Sequence, residues 1–191
     1  MRIIGGRAAG LLIKVPKGFD VRPTPDLVRQ AIFNSLATRV GGARVLDLFS
    51  GSGALGLECL SRGAASVISV EKSSRHAAMI RQNLQALQLP PENFELRTQD
   101  AFTVIGRLAA ERREFDLIMA DPPFGEKNIG RRSTSLSQQL LDDERLPGLL
   151  AASGLFVLGH TKRDTLSLPP SWHEVKVMKH GDSMMRFLRR N

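Results

Sequence analysis

The tetrapeptide Asp121-Pro122-Pro123-Phe124 follows an apolar run, Asp116 to Ala120, that reads as a β-strand. Consecutive prolines fix φ and push each preceding residue toward extended conformations, so the Asp121 carboxylate and nearby carbonyls are held in place. Rigid acceptors of this kind suit an exocyclic amine. The lone pair of such a nitrogen is delocalised into its ring, and acceptors gripping both N–H bonds favour the geometry that aims it at an electrophilic methyl group. Asp121 and the Pro122 carbonyl are the candidates for that grip, with Pro123 stiffening the turn. Phe124 is placed to stack on an extruded base, a contact worth ~1–3 kcal/mol in nucleic-acid sites. Without a second motif the same residues also read as a structural Asp-Pro turn with Phe124 in the core.

The second motif is Val45-Leu-Asp-Leu-Phe-Ser-Gly-Ser-Gly-Ala-Leu-Gly56, an apolar strand running into a glycine-rich turn and then a helix. Gly51 and Gly53 permit tight backbone geometry and close approach of a ligand, with helix N–H groups beyond. The spacing is also Gly-x-Gly-x-x-Gly, and Glu71 falls about where a ribose-binding acid sits in a dinucleotide fold, so a nicotinamide-dependent oxidoreductase competes. Asp47, at the C-terminal end of the strand, favours S-adenosylmethionine instead. A carboxylate there suits the ammonium of an amino acid and would repel a pyrophosphate. Glu71 can accept both ribose hydroxyls. Asp100 and Ala101 suit hydrogen bonding and packing at an adenine edge, although Asp100 reads equally well as a helix N-cap. Phe49 and Lys72 are assigned to the same site. His76, His160, His173 and His180 show no metal-ligand spacing, and Cys59 reads as a small buried hydrophobe.

These residues need a scaffold, and the chain from Arg44 onward supplies the pattern of one. Strand candidates Val45 to Phe49, Ser66 to Glu71, Phe94 to Thr98, Asp116 to Ala120 and Leu155 to Gly159 alternate with helical stretches Leu55 to Leu60, Ser74 to Leu87 and Ala101 to Arg112. Alternation of this kind predicts a doubly wound α/β domain with a mostly parallel sheet. Ala77, Ile80, Leu84 and Leu87 mark the face of one helix that packs on the sheet. Val175 to Lys179 and Met184 to Leu188 flank a turn with Gly181 and Asp182 and predict a C-terminal antiparallel hairpin, giving seven strands. Before the core, Ile3 to Val15 reads as a small hairpin or arm. Thr24-Pro25-Asp26 opens a helix that Thr24 can cap, with Val28, Ile32, Phe33 and Leu36 as its buried stripe. One domain, 1–191, is expected, with 1–43 as arm and helix and 44–191 as core.

Lys and Arg number 27 against 19 Asp and Glu, a net charge of +8, which favours a polyanionic partner such as nucleic acid. The excess gathers at Arg2, Arg7, Lys14, Lys17 and Arg22, at Lys127, Arg131 and Arg132, and from Lys176 to Arg190, where Arg186 lies. No apolar run reaches the roughly 20 residues of a membrane span, and Ala8 to Ile13 is too short for a signal-peptide core. A cytoplasmic monomer is expected.

Arg2-Ile-Ile-Gly-Gly6, Arg22-Pro-Thr-Pro-Asp-Leu-Val-Arg29 with Phe33-Asn34, Asp47 to Glu58 and Asp121-Pro-Pro-Phe124 together resemble the RsmD family, 16S ribosomal RNA guanine-N2 methyltransferases. The similarity runs over nearly the whole chain in the same order. It implies a class I S-adenosylmethionine-dependent fold and methylation of one guanine amine in 16S rRNA, within the small ribosomal subunit or an assembly intermediate. By the resemblance, Asp47, Gly51 and Gly53 serve the methionine part, Glu71 the ribose, Asp100 and Ala101 the adenine, and Asp121 to Phe124 the catalytic loop. Arg22, Thr24 and Arg29 match the family block and are assigned to RNA positioning or to closing the cofactor pocket; Arg2, Arg7 and Arg186 join them as RNA-binding candidates. The rivals are a methyltransferase for DNA adenine or protein glutamine, and a non-catalytic RNA-binding module.

Overall fold

Strands buried on both faces must be apolar almost throughout, and the central ones are. β1 (Arg44–Leu48) is exposed only at its first residue, and β4 (Phe115–Ala120) is buried at all but Asp116. The computed structural model describes residues 1–16, 24–123 and 131–191. Around these two strands it builds a seven-stranded sheet from β2 (Ser66–Val70), β3 (Phe94–Arg97), β5 (Leu150–Thr161), β6 (Trp172–His180) and β7 (Ser183–Arg190), in the order β3-β2-β1-β4-β5-β7-β6. The first five strands are parallel, whereas β7 lies antiparallel between β5 and β6. The predicted doubly wound sheet and C-terminal hairpin are both present.

Two apolar layers sandwich the sheet. One gathers α1 (Asp26–Leu36), α2 (Ala54–Ser61) and the N-terminal arm, through Ile3, Ile13, Ile32, Phe33, Leu57 and Leu60, over Val45, Val67, Leu117 and Val157. The other sets α4 (Ala101–Ala110) and α5 (Leu136–Asp142), through Val104, Ile105, Leu108 and Leu140, over Leu46, Ile68, Ile118 and Phe156. α3 (Ser74–Ala86) buries Ala77, Ile80 and Asn83.

Three details depart from expectation. Thr24 does not cap α1: Pro25 occupies the N-cap position and no side chain bonds the first turn. β5 begins at Leu150 rather than Leu155, because a register irregularity opposite Phe115 and Leu117 lets the strand pair further back, through the stretch containing Gly154. α5 was not foreseen, since its buried face includes Ser137 and Gln138. Arg22, Lys17, Phe124 and Lys127 lie outside the described residues.

β1, β2 and β3 run to one side of the sheet and β4 and β5 to the other, so the topology reverses between β1 and β4. Open α/β sheets bind ligands at this crevice, off the carboxyl ends of the strands. The glycine turn leaves β1 there, and Asp121-Pro122-Pro123 leaves β4 beside it.

Candidate active site

At the end of β1 the chain turns through left-handed conformations at Phe49 (φ 58°), Gly51 (φ 55°) and Gly53 (φ 78°) before α2 begins. Phe49 is a bulky residue in a region that side chains disfavour, the kind of local strain that collects at functional sites. Its ring meets Phe102 edge-on, with centroids 6.3 Å apart. Gly53 has a φ that residues with side chains rarely adopt, and a Cβ there would stand 3.1 Å from Ile80. The turn is pinned from below. Ser50 Oγ accepts from Val70 N–H at 3.1 Å and from the Ser69 hydroxyl at 2.7 Å, while Asn83 Nδ2 donates to the Ser52 carbonyl at 3.0 Å.

Three acids stand at successive strand ends. Asp47 lies under the turn, 1% exposed, and its Oδ2 accepts from Gly56 N–H at 3.1 Å. Its Oδ1 has no hydrogen-bond partner. Burial pushes the Asp47 carboxyl up to about 7 despite the hydrogen bonds that favour its ionised form. Glu71, just past β2, accepts from Gly51 N–H and Ser73 N–H, both at 2.8 Å, and so braces the turn from the side. Asp100 caps α4 through Oδ1, which accepts from Phe102 and Thr103 N–H; Oδ2 stands 3.8 Å from the exposed Lys72 ammonium. The N-cap reading of Asp100 is therefore realised. Ala101 is 3% exposed and packs into the second core layer.

This donor set fits S-adenosylmethionine. The unpartnered Asp47 Oδ1 would be free to accept from the ammonium, the left-handed turn allows backbone approach, and Glu71 and Asp100 end neighbouring strands as ribose and adenine acceptors would. Within the chain itself, Asp47 Oδ2 accepts from Gly56 N–H and from the Ser69 hydroxyl.

Asp121 follows β4 and points into the protein. Thr24 Oγ1 donates a short hydrogen bond to its Oδ2. On the other side it meets Gly159 of β5, where a Cβ would stand 2.2 Å from Oδ1, so the carboxylate occupies the space a side chain would need. The Gly159 carbonyl is fixed in turn by the Ser137 hydroxyl at 3.0 Å. Burial raises the Asp121 carboxyl above its ordinary range, and the Thr24 hydrogen bond opposes the rise. Pro122 is buried and Pro123 exposed.

Comparison with known proteins decides among the chemistries open to such a site. A family profile described as conserved hypothetical protein 95 matches residues 1–189. Ribosomal RNA small subunit methyltransferase D of Escherichia coli (strain K12) is 34% identical over 180 residues, covering 93% of this chain and 84% of that one. The chain belongs to the RsmD family. It is accordingly an S-adenosylmethionine-dependent methyltransferase with a class I fold. Among solved structures, Escherichia coli yhhF superposes with a TM-score of 0.82 at 28% identity, over 100% of this chain and 98% of that one. The Thermus thermophilus 16S rRNA N2 G1207 methyltransferase RsmC, in complex with AdoMet and guanosine, shares the fold with a TM-score of 0.65 at 23% identity, over 90% of this chain and 44% of that one.

The arginines of the RsmD block sort differently from the sequence expectation. Arg29 is fully buried: it donates to Asp26 Oδ1 at 2.8 Å and to the Arg2 carbonyl at 2.5 Å, and stands 3.6 Å from Glu58. No surface of it is left for RNA, and the assignment is corrected to a tie between α1 and the arm. Thr24 faces Asp121 rather than a docking surface. Arg186 donates to His160 Nε2 at 3.1 Å and pairs with Glu174. Arg2 is mostly exposed, 3.5 Å from Asp26, and Arg7 is exposed. The structural residues that sequence reasoning missed are Glu58, Asn83 and Gly159; the first two anchor the N-terminal arm, as Glu58 accepts from Ile4 and Gly5 N–H at 2.7 Å and Asn83 bonds both backbone groups of Lys14.

Proposed function

We propose that this RsmD-family protein methylates the exocyclic N2 amine of a guanine in 16S rRNA, in the cytoplasm and as a monomer, with the small ribosomal subunit or an assembly intermediate as substrate. The observation that carries the reading is the placement of Asp121-Pro122 beside the glycine turn at the topological switch point, where an amine acceptor and the cofactor site meet. The relative named ribosomal RNA small subunit methyltransferase D supports the choice of RNA. The structural neighbour named as an N2 G1207 methyltransferase, holding guanosine, shares the scaffold.

S-adenosylmethionine, when bound, supplies a methyl group activated by its sulfonium. Asp47, Glu71, Asp100 and the Gly51–Gly53 turn hold it, Phe49 and Lys72 lie at the rim of that site, and Ala101 packs beneath. Asp121 and the Pro122 carbonyl accept the two N–H bonds of the amine, which localises the lone pair toward the methyl. The N–C bond would form as the methyl–sulfur bond breaks and the electron pair stays on sulfur as a neutral thioether, and the nitrogen would give up a proton that Asp121, as an acceptor already in contact, is placed to receive. Phe124 follows directly in sequence and is the stacking candidate.

The test is transfer of labelled methyl to free 16S RNA, to small subunits lacking modification, to duplex DNA and to protein extract, with the product nucleoside identified. Label in N2-methylguanosine from the subunit is expected. Label in methyladenine or in protein would overturn the substrate while leaving the fold and cofactor intact. Asp121→Ala should remove turnover and leave cofactor affinity within a few-fold; an equal loss of both would make the loop structural.

A further inference from the structure

We propose that Thr24 is a positioning residue of the active centre, holding Asp121 so that the carboxylate presents one fixed acceptor to the target amine. The inference rests on the amine-methylation reading above and adds to it a contribution from the segment before α1, 97 positions away in sequence.

Threonine just ahead of a helix commonly bonds the N–H groups of the first turn. Here no side chain does so, Pro25 takes the N-cap position, and the Thr24 hydroxyl is directed at Asp121 Oδ2 instead. The terminal torsion of an aspartate is broad and two-fold, so an unrestrained carboxylate offers either oxygen over a range of angles. Thr24 removes that freedom on one side. On the other, Gly159 leaves room for Oδ1 only because it lacks a side chain, and Ser137 fixes its carbonyl. The carboxylate thus lies between the segment before α1 and β5, and Thr24 is the proton donor of the two.

The same donor bears on charge. Asp121 is desolvated, and a hydrogen bond donated to the carboxylate favours the ionised form that accepts from an amine. Among the described residues, the ionisable groups on the surrounding elements are engaged elsewhere. His160 of β5 and Arg186 of β7 bond each other, and Arg29 of α1 is taken up by Asp26 and Glu58. Thr24 is the side chain shown lowering the Asp121 proton affinity.

The experiment compares wild type, Thr24→Val and Thr24→Ser on small subunits lacking modification, following kcat, KM for subunit, cofactor affinity, thermal melting and the pH profile of kcat. Valine keeps the shape and removes the donor; serine keeps the donor. The expected result is a kcat lower by about ten- to a hundred-fold in Thr24→Val, with melting, KM and cofactor affinity near wild type. The acid limb of its kcat profile moves to higher pH, and Thr24→Ser restores both rate and profile. A Thr24→Val enzyme with wild-type kcat overturns the proposal. So does a loss carried in KM, or one that serine does not rescue and that leaves the acid limb in place, since either makes Thr24 a substrate contact or a packing residue. If wild type labels a product other than N2-methylguanosine, the substrate reading falls while the valine–serine comparison on that product still decides the role of Thr24. No label from wild type overturns both.

Discussion

Burial alters the chemistry of Asp47. Its carboxyl sits near 7 because burial outweighs the hydrogen bonds that favour the anion. In the unfolded chain the group titrates at its ordinary value of 3.8, so between the two values the native state holds a proton that the unfolded state has lost. The stability this residue contributes is fully present below the unfolded value and is lost as pH rises through about 7. Asp47→Asn is a neutral isostere that keeps an acceptor for Gly56 N–H. Its melting temperature should gain on that of wild type between about pH 4 and about pH 7. S-adenosylmethionine should narrow that gap, because an ammonium beside Oδ1 favours the ionised form. Parallel melting curves for the two proteins would mean that Asp47 is ionised throughout. Asp47, Glu71, Asp100 and Asp121 were legible in the sequence because acids at strand ends beside glycines and prolines are a local signal. The Thr24–Asp121 bond and the space at Gly159 were not, because each joins residues whose proximity only the folded sheet creates.

The element of greatest mechanical consequence is α2, through the buried Glu58. Its two oxygens accept from Ile4 and Gly5 N–H and from Arg62 Nε, and Arg29 of α1 lies within ion-pair range. One side chain therefore joins the arm, α1 and α2. Glu58→Ala leaves the Arg29 charge with Asp26 as its remaining acidic partner and strips two backbone donors of their acceptor. A loss of ~3–5 kcal/mol on chemical denaturation is expected, the size seen when one member of a buried ion pair is removed. A loss below about 1 kcal/mol would show that water or rearrangement replaces the network. Local sequence gave α2 itself, since Leu55, Leu57 and Leu60 need burial, but nothing local tells a buried glutamate from a solvated one. α5 escaped for a related reason. Its Gln138 is fully buried and bonded to Asp142 and to both backbone groups of Ser167, which a hydrophobic period does not register.

At the scale of the whole molecule, the count of 27 Lys and Arg overstates the cationic surface available for docking, and the net charge of +8 is what is left once the 19 Asp and Glu are set against it. Much of the arginine is engaged within the fold: Arg29 inside it, Arg44 on Asp116, Arg97 on Glu95, Arg145 on Asp143 and Arg186 on Glu174. Arg7 and Lys14 remain exposed on the arm, and the Lys14 backbone is held by the same Asn83 that bonds the cofactor turn. That single side chain ties the arm at Lys14 to the glycine turn at Ser52. Phosphate contacts release counterions, and each steepens the fall of log affinity with log salt by roughly 0.7–0.9. Subunit affinity should therefore weaken steeply with salt in wild type. Arg7→Ala should make the slope shallower by about one contact, whereas Arg186→Ala, which removes a charge already paired with Glu174, should leave it unchanged. Equal slopes for wild type and Arg7→Ala would place the docking surface away from the arm, and a shallower slope in Arg186→Ala would show that Glu174 surrenders its partner to RNA.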